Sequence, residues 1–406
     1  MHSWRGAHAP SRVVFGALAK DMRCTRIDAV FGEGAENHQR GRRCSPKNSN
    51  PLPEPSRVMI PPDRHTRQWI AAQQARLGMA DPIILEKAIY ALTLLDLLAR
   101  TDLDFVFKGG TALLLHLPQP NRLSIDIDIV CNEPKSDFES ALDALLGKSP
   151  FLRWDEQIRG ERGLPGRRHY RFYFQSPTQE QEMHILLDVV TEPNVLIHLI
   201  ESPVNTAFLE IAEPITVKTP RLESLLADKL TAFAPATIGV PLTAQFSQQV
   251  IKQLFDIAQL YDHARELSVL AEDNQNAFEA EARYRGFAGS YSDYLDDVIQ
   301  AAFHICSLDL KGASKDREEE SRLYRRGIVQ LGNHLVSIPF RLPEAKVAAG
   351  KAARLAMLLK ASDFSSDLPV FDPALAIGLR EKQLAAPFAC LNRLKSFAPE
   401  VFFYWV

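Results

Sequence analysis

The feature that most constrains this chain is a pair of aspartates inside a short apolar segment, residues 122–129, which reads Arg-Leu-Ser-Ile-Asp-Ile-Asp-Ile. Asp126 and Asp128 are two positions apart, so on a strand their side chains point to the same face. The neighbouring isoleucines would bury the opposite face and hold the two carboxylates in fixed positions. Paired carboxylates of this kind suit Mg²⁺ or Mn²⁺, and they indicate phosphoryl-transfer chemistry.

A glycine turn lies upstream of this segment and predicts a phosphate-binding site. Phe105–Phe107 reads as a short buried strand and Thr111–Leu117 as a helix, which places Gly109 and Gly110 at a strand-to-helix junction. Free N–H groups at a helix N-terminus attract phosphate, and glycine lets a triphosphate approach the backbone. Either motif alone is weak, because Gly-Gly-Thr is commonly a helix cap and Asp-x-Asp commonly lies in a solvated loop. Together they predict a site for a nucleotide and a metal ion.

The two motifs resemble the first motif of the AbiEii/AbiGii-type nucleotidyltransferase toxins, which belong to the polymerase-beta-like nucleotidyltransferase superfamily. The resemblance rests on Phe-Lys-Gly-Gly-Thr-Ala-Leu at residues 107–113, on Arg-x-Ser-x-Asp-Ile-Asp at residues 122–128, and on an upstream helix that Glu86 opens. It covers roughly Pro82 to Asp262. It implies an α/β (α+β) fold, in which a polymerase-beta-like core with a mixed sheet flanked by helices precedes a C-terminal helical bundle.

Three further acidic or basic residues match motifs of this family. Asp188, in the apolar strand Met183–Val190, matches the third carboxylate of the superfamily; the alternative is a strand-end acid that faces water. Lys229 lies near the buried face of the helix predicted over Pro220–Phe233, where a phosphate would serve as its anionic partner unless its stem reaches solvent. Asp256, in a Lys-Gln-Leu-Phe-Asp-Ile run, resembles the functionally required aspartate of the family's last motif.

The resemblance implies separate roles for these residues. The expected catalytic residues are Asp126, Asp128, Asp188, Lys229 and Asp256. The first three of these would hold the metal ion, and Asp188 would coordinate or deprotonate the acceptor hydroxyl. Asp256 would orient Lys229 or the nucleotide. The expected nucleotide-binding residues are Lys108, Gly109, Gly110, Thr111 and Arg122.

Length and charge predict what surrounds this site. The 406 residues are enough for a nucleotidyltransferase domain at 59–235 and a helical domain at 236–406, after a basic and disordered arm at 1–58. The arm holds ten Lys or Arg against five acids, which leaves the rest of the chain near −8. Any nucleic-acid contact must therefore be local.

The best candidate for such a contact is a basic segment between Arg153 and Arg171 that precedes a run of aromatic residues. Its arginines could follow an RNA backbone while its aromatic rings stack on bases. The alternative is a hairpin whose arginines are solvated and whose aromatic residues fill the core. The residues alone do not decide between the two.

Cysteine usage and apolar runs indicate the compartment. Five scattered cysteines, none in Cys-x-x-Cys spacing, predict reduced thiols and neither a zinc site nor a disulfide framework. No apolar run reaches membrane-spanning length, and the N-terminus lacks the central apolar block of a secretory signal. We expect a cytoplasmic protein.

The resemblance implies a toxin of a type IV toxin–antitoxin or phage abortive-infection system. Such an enzyme would transfer NMP from an NTP to an acceptor hydroxyl, with the 3′ end of tRNA as the expected acceptor and an antitoxin encoded beside it as a partner. Two alternatives stay open at this point. One is nucleotidylation of a small molecule or a protein, and the other is a catalytically inactive scaffold that binds nucleotide.

Overall fold

The structure is a computed structural model, and it describes residues 60–78, 81–119, 121–147, 149–158, 165–209, 211, 213–311, 317–336, 338–364 and 367–406. The arm predicted at residues 1–58 lies outside this set. Pro55–Val406 forms one compact unit, and a continuous hydrophobic core runs across the boundary predicted at residue 235. None of the helices in the described ranges combines the length and the apolar composition that crossing a membrane requires.

In the described part of the N-terminal half lie the strands and four α-helices. The helices are α1 (Arg67–Leu77), α2 (Pro82–Leu98), α3 (Gly109–His116) and α4 (Lys135–Leu146). The strands are β1 (Val106–Lys108), β2 (Ile127–Val130), β3 (Phe151–Glu156), β4 (Arg167–Gln175), β5 (Glu182–Val190), β6 (Leu199–Pro203) and β7 (Thr216–Pro220).

Five of these strands form one mixed sheet in the order β1-β2-β5-β4-β3. Strands β2 and β5 run parallel, and the other neighbours are antiparallel. Alternate residues such as Phe107, Ile129, Phe172 and Leu187 are fully buried on one face. Helix α2 contacts this sheet at β2 and β5, so the opposite face is left for polar side chains.

Helix α2 is the central helix behind the sheet. The Asp81 carboxylate accepts a hydrogen bond from the Ile83 N–H at 2.8 Å, and Pro82 occupies the first helical position. An acidic N-cap followed by proline is a favourable helix start. The apolar run that follows is buried on nearly all sides, because the sheet, α1 and α4 all contact it.

The C-terminal half is helical, as the sequence predicts. Its α-helices are α5 (Leu222–Ala232), α6 (Ser247–Tyr261), α7 (Leu267–Arg285), α8 (Tyr291–Ser307), α9 (Glu318–Leu331), α10 (Leu342–Ala361), α11 (Ala376–Leu379) and α12 (Pro399–Phe403). Short 3-10 helices cover Gly332–His334, Pro373–Leu375 and Phe388–Ser396 in this half, and Pro62–His65 before α1. Helix α6 contacts α5, α9 and α10, which buries its apolar face.

One backbone contact joins the two halves next to the Asp-x-Asp segment. Arg122 and Leu335 form an isolated antiparallel bridge. On either side of it, the Leu123 N–H donates to the His334 carbonyl at 3.1 Å and the Val336 N–H donates to the Asn121 carbonyl at 2.8 Å. The segment after α9 therefore fixes the backbone that enters β2.

Candidate active site

The predicted carboxylates lie on the polar face of the sheet. Asp128 in β2 is paired in register with Asp188 in β5, and on the other side with Lys108 in β1. Paired positions on neighbouring strands have their side chains on one face, about 5 Å apart. Asp126 directly precedes β2, which begins at Ile127. The structure therefore brings Asp128 and Asp188 side by side, with Asp126 at the entrance of the strand.

Asp128 is under electrostatic strain. Its pKa is raised to about 7, first by burial and then by repulsion from the Asp188 and Asp126 carboxylates. The ammonium groups of Lys229 and Lys108 act in the opposite direction but do not cancel it. The surrounding charges thus only partly stabilise the ionised form of Asp128.

The donor set fits a divalent cation in its chemistry. Carboxylate oxygens are the ligands that Mg²⁺ and Mn²⁺ prefer, and a cation between Asp128 and Asp188 would relieve their repulsion. Across the described ranges, however, no three His, Cys, Asp or Glu side chains are already gathered closely enough to hold a metal ion. The three-carboxylate metal site of Asp126, Asp128 and Asp188 stays a prediction.

The two glycines lie against the charged groups of the site. The sequence predicts a helix from Thr111, and α3 begins two residues earlier, at Gly109. Gly109 has a φ of +83°, and a Cβ there would overlap the Asp128 carboxylate. A Cβ at Gly110 would lie 2.9 Å from Nη2 of Arg122. Only glycine allows the backbone at residue 109 to approach the Asp128 carboxylate this closely. This close approach places the first N–H groups of α3 beside the site.

Thr111 and Lys108 have partners within the chain. The Thr111 side chain is fully buried and its hydroxyl donates to the backbone carbonyl of Asp126. This bond fixes the backbone of the first aspartate, so the hydroxyl is committed to the fold and only the N–H of Thr111 remains as a phosphate ligand. Nζ of Lys108 lies 3.8 Å from the carboxylate of Asp228, the residue of α5 directly before Lys229.

A buried ion triad lies beside the carboxylates. Asp256, only 1 % exposed, accepts two hydrogen bonds from Arg122, each 2.6 Å long, and its Oδ2 lies 3.3 Å from Nζ of Lys229. Burial would raise the pKa of Asp256, but the two cations outweigh it and the pKa is lowered. With two cations on one carboxylate, the triad has an excess positive charge next to Asp128.

Lys252 adds to this positive charge, although the sequence motifs predict no role for it. It lies one helical turn before Asp256 on α6, but Asp256 pairs with Arg122 and Lys229 instead. Burial lowers the pKa of Lys252, and the nearby Arg122 guanidinium lowers it further, although Asp126 and Asp256 act against this. An anionic ligand would relieve this repulsion. A lysine at this spacing before a functional aspartate is the signal that could have identified it.

The basic segment predicted to contact RNA is the β4–β5 hairpin with β3 beside it. Its aromatic residues Tyr170, Phe172 and Phe174 are fully buried, as the hairpin alternative predicts. Arg171 forms an ion pair with Asp155 at 2.7 Å, and Arg168 donates to a backbone carbonyl. Two further arginines of the predicted cluster, at 159 and 162, lie outside the described residues. Most of the hairpin's described charge is therefore used within the fold.

One residue of this basic segment has a different environment from the one predicted. His169 lies opposite Asp188 in the β4–β5 register, and its Nδ1 is 2.6 Å from Oδ1 of Asp188. The hairpin is the sequence signal that could have identified this contact, because a turn between Gln175 and Glu182 pairs position 169 with position 188.

Comparison with known proteins gives one match to a protein family. Residues 94–345 match the family described as nucleotidyl transferase AbiEii toxin, type IV TA system. This span begins later than the predicted region of resemblance and extends past its end at Asp262, into α10. No curated protein sequence matches the chain.

Solved structures give only distant similarities. JHP933 from Helicobacter pylori matches with 16% identity and a TM-score of 0.40, over 70% of this chain and 94% of that one. A nucleotidyltransferase described as putative, from H. pylori, gives 16% identity and a TM-score of 0.39, over 68% and 93%. An antigenic nucleotidyltransferase-like protein from Paracoccidioides brasiliensis gives 16% and 0.33, over 50% and 89%. Similarities at this level do not bear on function.

Proposed function

Because the chain belongs to the AbiEii family of nucleotidyltransferase toxins, we propose that it transfers the NMP of an NTP to the 3′ end of tRNA in a metal-dependent reaction. Membership of this family makes the chain a nucleotidyltransferase of a type IV toxin–antitoxin system, with an NTP as substrate and an antitoxin as partner. The acceptor, the metal ion and the residue roles below are our proposal.

One observation supports the proposal above all others. Asp128, paired with Asp188, is close enough to the cations around Asp256 to interact electrostatically with both of them. A metal–triphosphate complex has the complementary pattern, because its metal ion seeks carboxylates and its phosphate oxygens seek cations. Neither half of the pattern alone would favour a nucleotide over a simple cation or anion.

In the proposed reaction, an oxygen of the acceptor hydroxyl attacks the α-phosphorus of the NTP. A new P–O bond forms, the bond to the bridging oxygen breaks, and pyrophosphate leaves with the electron pair of that bond. Asp188 takes the proton of the attacking hydroxyl. Lys229 and Arg122 stabilise the negative charge that develops on the phosphates, and Asp256 holds both cations in position.

The glycine turn would bind the far end of the nucleotide. The first N–H groups of α3, at Gly109, Gly110 and Thr111, bind the terminal phosphates, and Lys108 adds a positive charge at the same end. Asp126, Asp128 and Asp188 would hold Mg²⁺ or Mn²⁺. When bound, this ion would offset the charge of the triphosphate and make the acceptor hydroxyl easier to deprotonate.

Two features of the polar face support an RNA acceptor. Arg167 is exposed at the start of β4 and shares a sheet face with His169 and Asp188, so it can contact a phosphate of an acceptor strand that ends at Asp188. The site is also open on this face, because Asp188 keeps 30% of its side chain exposed. Both tRNA and NTPs are cytoplasmic, which is where we place the protein.

The test is a labelling assay with the purified chain, total tRNA, Mg²⁺ and each labelled NTP in turn. We expect one NTP to label tRNA, and we expect the double variant Asp126→Ala/Asp128→Ala to give none. The control variant Asp367→Ala, which removes an exposed acid elsewhere, should label normally.

The outcomes separate the candidate functions. Arg167→Glu should weaken tRNA labelling severalfold at physiological salt, because it reverses a charge next to the acceptor path. Label on a protein or a small molecule in place of tRNA would refute the proposed acceptor and keep the enzyme class. Binding of NTP without any transfer would support the inactive scaffold and refute the proposal.

A further inference from the structure

The third carboxylate of the site has a hydrogen-bond partner to which the proposed reaction assigns no role. His169 lies on β4 with its side chain 8% exposed, and its Nδ1 is 2.6 Å from Oδ1 of Asp188. Its backbone is fixed on both sides, because β4 lies between β3 and β5 and the His169 carbonyl accepts a hydrogen bond from the Gln157 N–H at 2.7 Å.

Asp188 needs such a partner because of its neighbour. It is paired in register with Asp128, and like charges at paired positions of neighbouring strands repel each other. With 30% of its side chain exposed, Asp188 has room to rotate away from Asp128 toward solvent. A hydrogen-bond donor on β4 opposes this rotation, because β4 lies on the side of β5 away from Asp128. It adds no further charge next to Asp128.

The geometry also distinguishes the two oxygens of the carboxylate. Since Oδ1 accepts the hydrogen bond from His169, Oδ2 is the oxygen left for a metal ion or for the acceptor hydroxyl. Nδ1 donates this hydrogen bond in the imidazole tautomer that carries its proton on Nδ1. Hydrogen bonds of this kind to ligating carboxylates orient them and tune their affinity for the metal.

We propose that His169 is a positioning residue of the nucleotidyltransferase site, which donates a hydrogen bond from Nδ1 to Oδ1 of Asp188 and so holds Oδ2 toward Asp128. This inference rests on the proposed function, since it gives Asp188 its role in binding the metal ion and the acceptor. His169 itself touches neither substrate nor metal.

Two substitutions whose new side chains have the same shape test the positioning role of His169. In His169→Asn the amide nitrogen takes the place of Nδ1, two bonds from Cβ, and can donate to Asp188. His169→Leu has the shape of asparagine and no donor. His169→Ala serves as a second donor-free variant in case leucine unfolds the chain, and circular dichroism checks the fold of each.

The first measurement is Mn²⁺ binding, followed by the EPR signal of free Mn²⁺ in the absence of nucleotide. We expect His169→Leu to weaken binding about 10-fold or more, and His169→Asn to stay within about 3-fold of the wild type, as for other partners of metal-ligating groups. The second measurement is the Mg²⁺ concentration for half-maximal transfer, which should rise by a similar factor in His169→Leu. KM for the NTP should change little, because His169 is not part of the glycine turn or the triad.

The results separate this inference from the proposed function. Equal Mn²⁺ affinity of the asparagine and leucine variants would overturn the positioning role alone, provided that Asp128→Asn abolishes binding in the same assay. If the wild type binds no Mn²⁺, both the positioning role and the metal dependence of the proposed function are overturned. Weak binding by the leucine variant with rescue by asparagine supports both.

Discussion

Replacing Asp128 by asparagine should make the metal-free protein more stable while it destroys transfer. In the folded chain the pKa of Asp128 is raised from 3.8 to about 7, first by burial and then by repulsion from Asp188 and Asp126. A group whose pKa is raised on folding destabilises the fold when it is ionised. Asparagine has the same shape and no charge, so it removes this cost.

The size of the effect follows from the shift. A rise of about 3 pKa units corresponds to about 4 kcal/mol at 1.36 kcal/mol per unit, once the pH is above both values. Asp128 is partly accessible to solvent, which screens its repulsion from the neighbouring carboxylates. We therefore expect Asp128→Asn to raise the free energy of unfolding by about 2 kcal/mol at pH 8. The penalty on the wild type grows as the pH rises from about 4 to 7. The gain from asparagine should therefore shrink toward zero as the pH falls to 4.

The assay is urea denaturation of the wild type and Asp128→Asn in EDTA at pH 5 and pH 8, with Asp367→Asn as the exposed control. Added Mg²⁺ should stabilise the wild type and leave Asp128→Asn unchanged, because binding to the folded state adds to its stability. In the labelling assay kcat of the variant should fall at least about 100-fold. If Asp128→Asn is no more stable than the wild type at pH 8 in EDTA, the electrostatic account of this site is wrong.

Three further substitutions test the supports of the site. Gly109→Ala should lower both stability and transfer, because its Cβ would overlap the Asp128 carboxylate. The control is Gly286→Ala, at a similar positive φ in open space. It should lower the free energy of unfolding by about 1 kcal/mol in thermal denaturation and leave transfer intact. Asp256→Ala should destabilise the fold by about 3–5 kcal/mol in urea, since it leaves two buried cations without their counterion; a loss below 1 kcal/mol would show that the triad is not a buried unit. Lys229→Met should change stability little, because Asp256 keeps its two hydrogen bonds to Arg122, while it lowers kcat about 100-fold. Normal transfer by this variant would remove Lys229 from the proposed mechanism.

Much of the site could be predicted from the sequence because its parts are local. The alternation around Asp128 and the apolar run around Asp188 fix which face each carboxylate takes, and the glycines before α3 mark the turn. The pairing of His169 with Asp188 was also available, since the hairpin turn sets the register of its two strands. The cluster of arginines around His169 raised two interpretations, an RNA surface and a hairpin with solvated arginines, and neither assigned His169 a contact with Asp188.

The ion triad could not be predicted from spacing. Arg122 and Asp256 are 134 residues apart, and only the packing of α5, α6 and the segment before β2 brings them together. The sequence predicts Arg122 as a phosphate ligand, whereas in the fold its guanidinium first neutralises a buried carboxylate. Burial decides this, because an unpaired Asp256 at this position would be too costly.

The bridge between Arg122 and Leu335 has a consequence for synthesis on the ribosome. A nascent chain releases the glycine turn and the paired aspartates early, but Asp256 and then Leu335 leave the exit tunnel only much later. Until both have emerged, the backbone before β2 lacks its clamp and Arg122 lacks its counterion. We expect a nascent chain stalled before Leu335 has emerged to transfer nothing, because the backbone before β2 is not yet held.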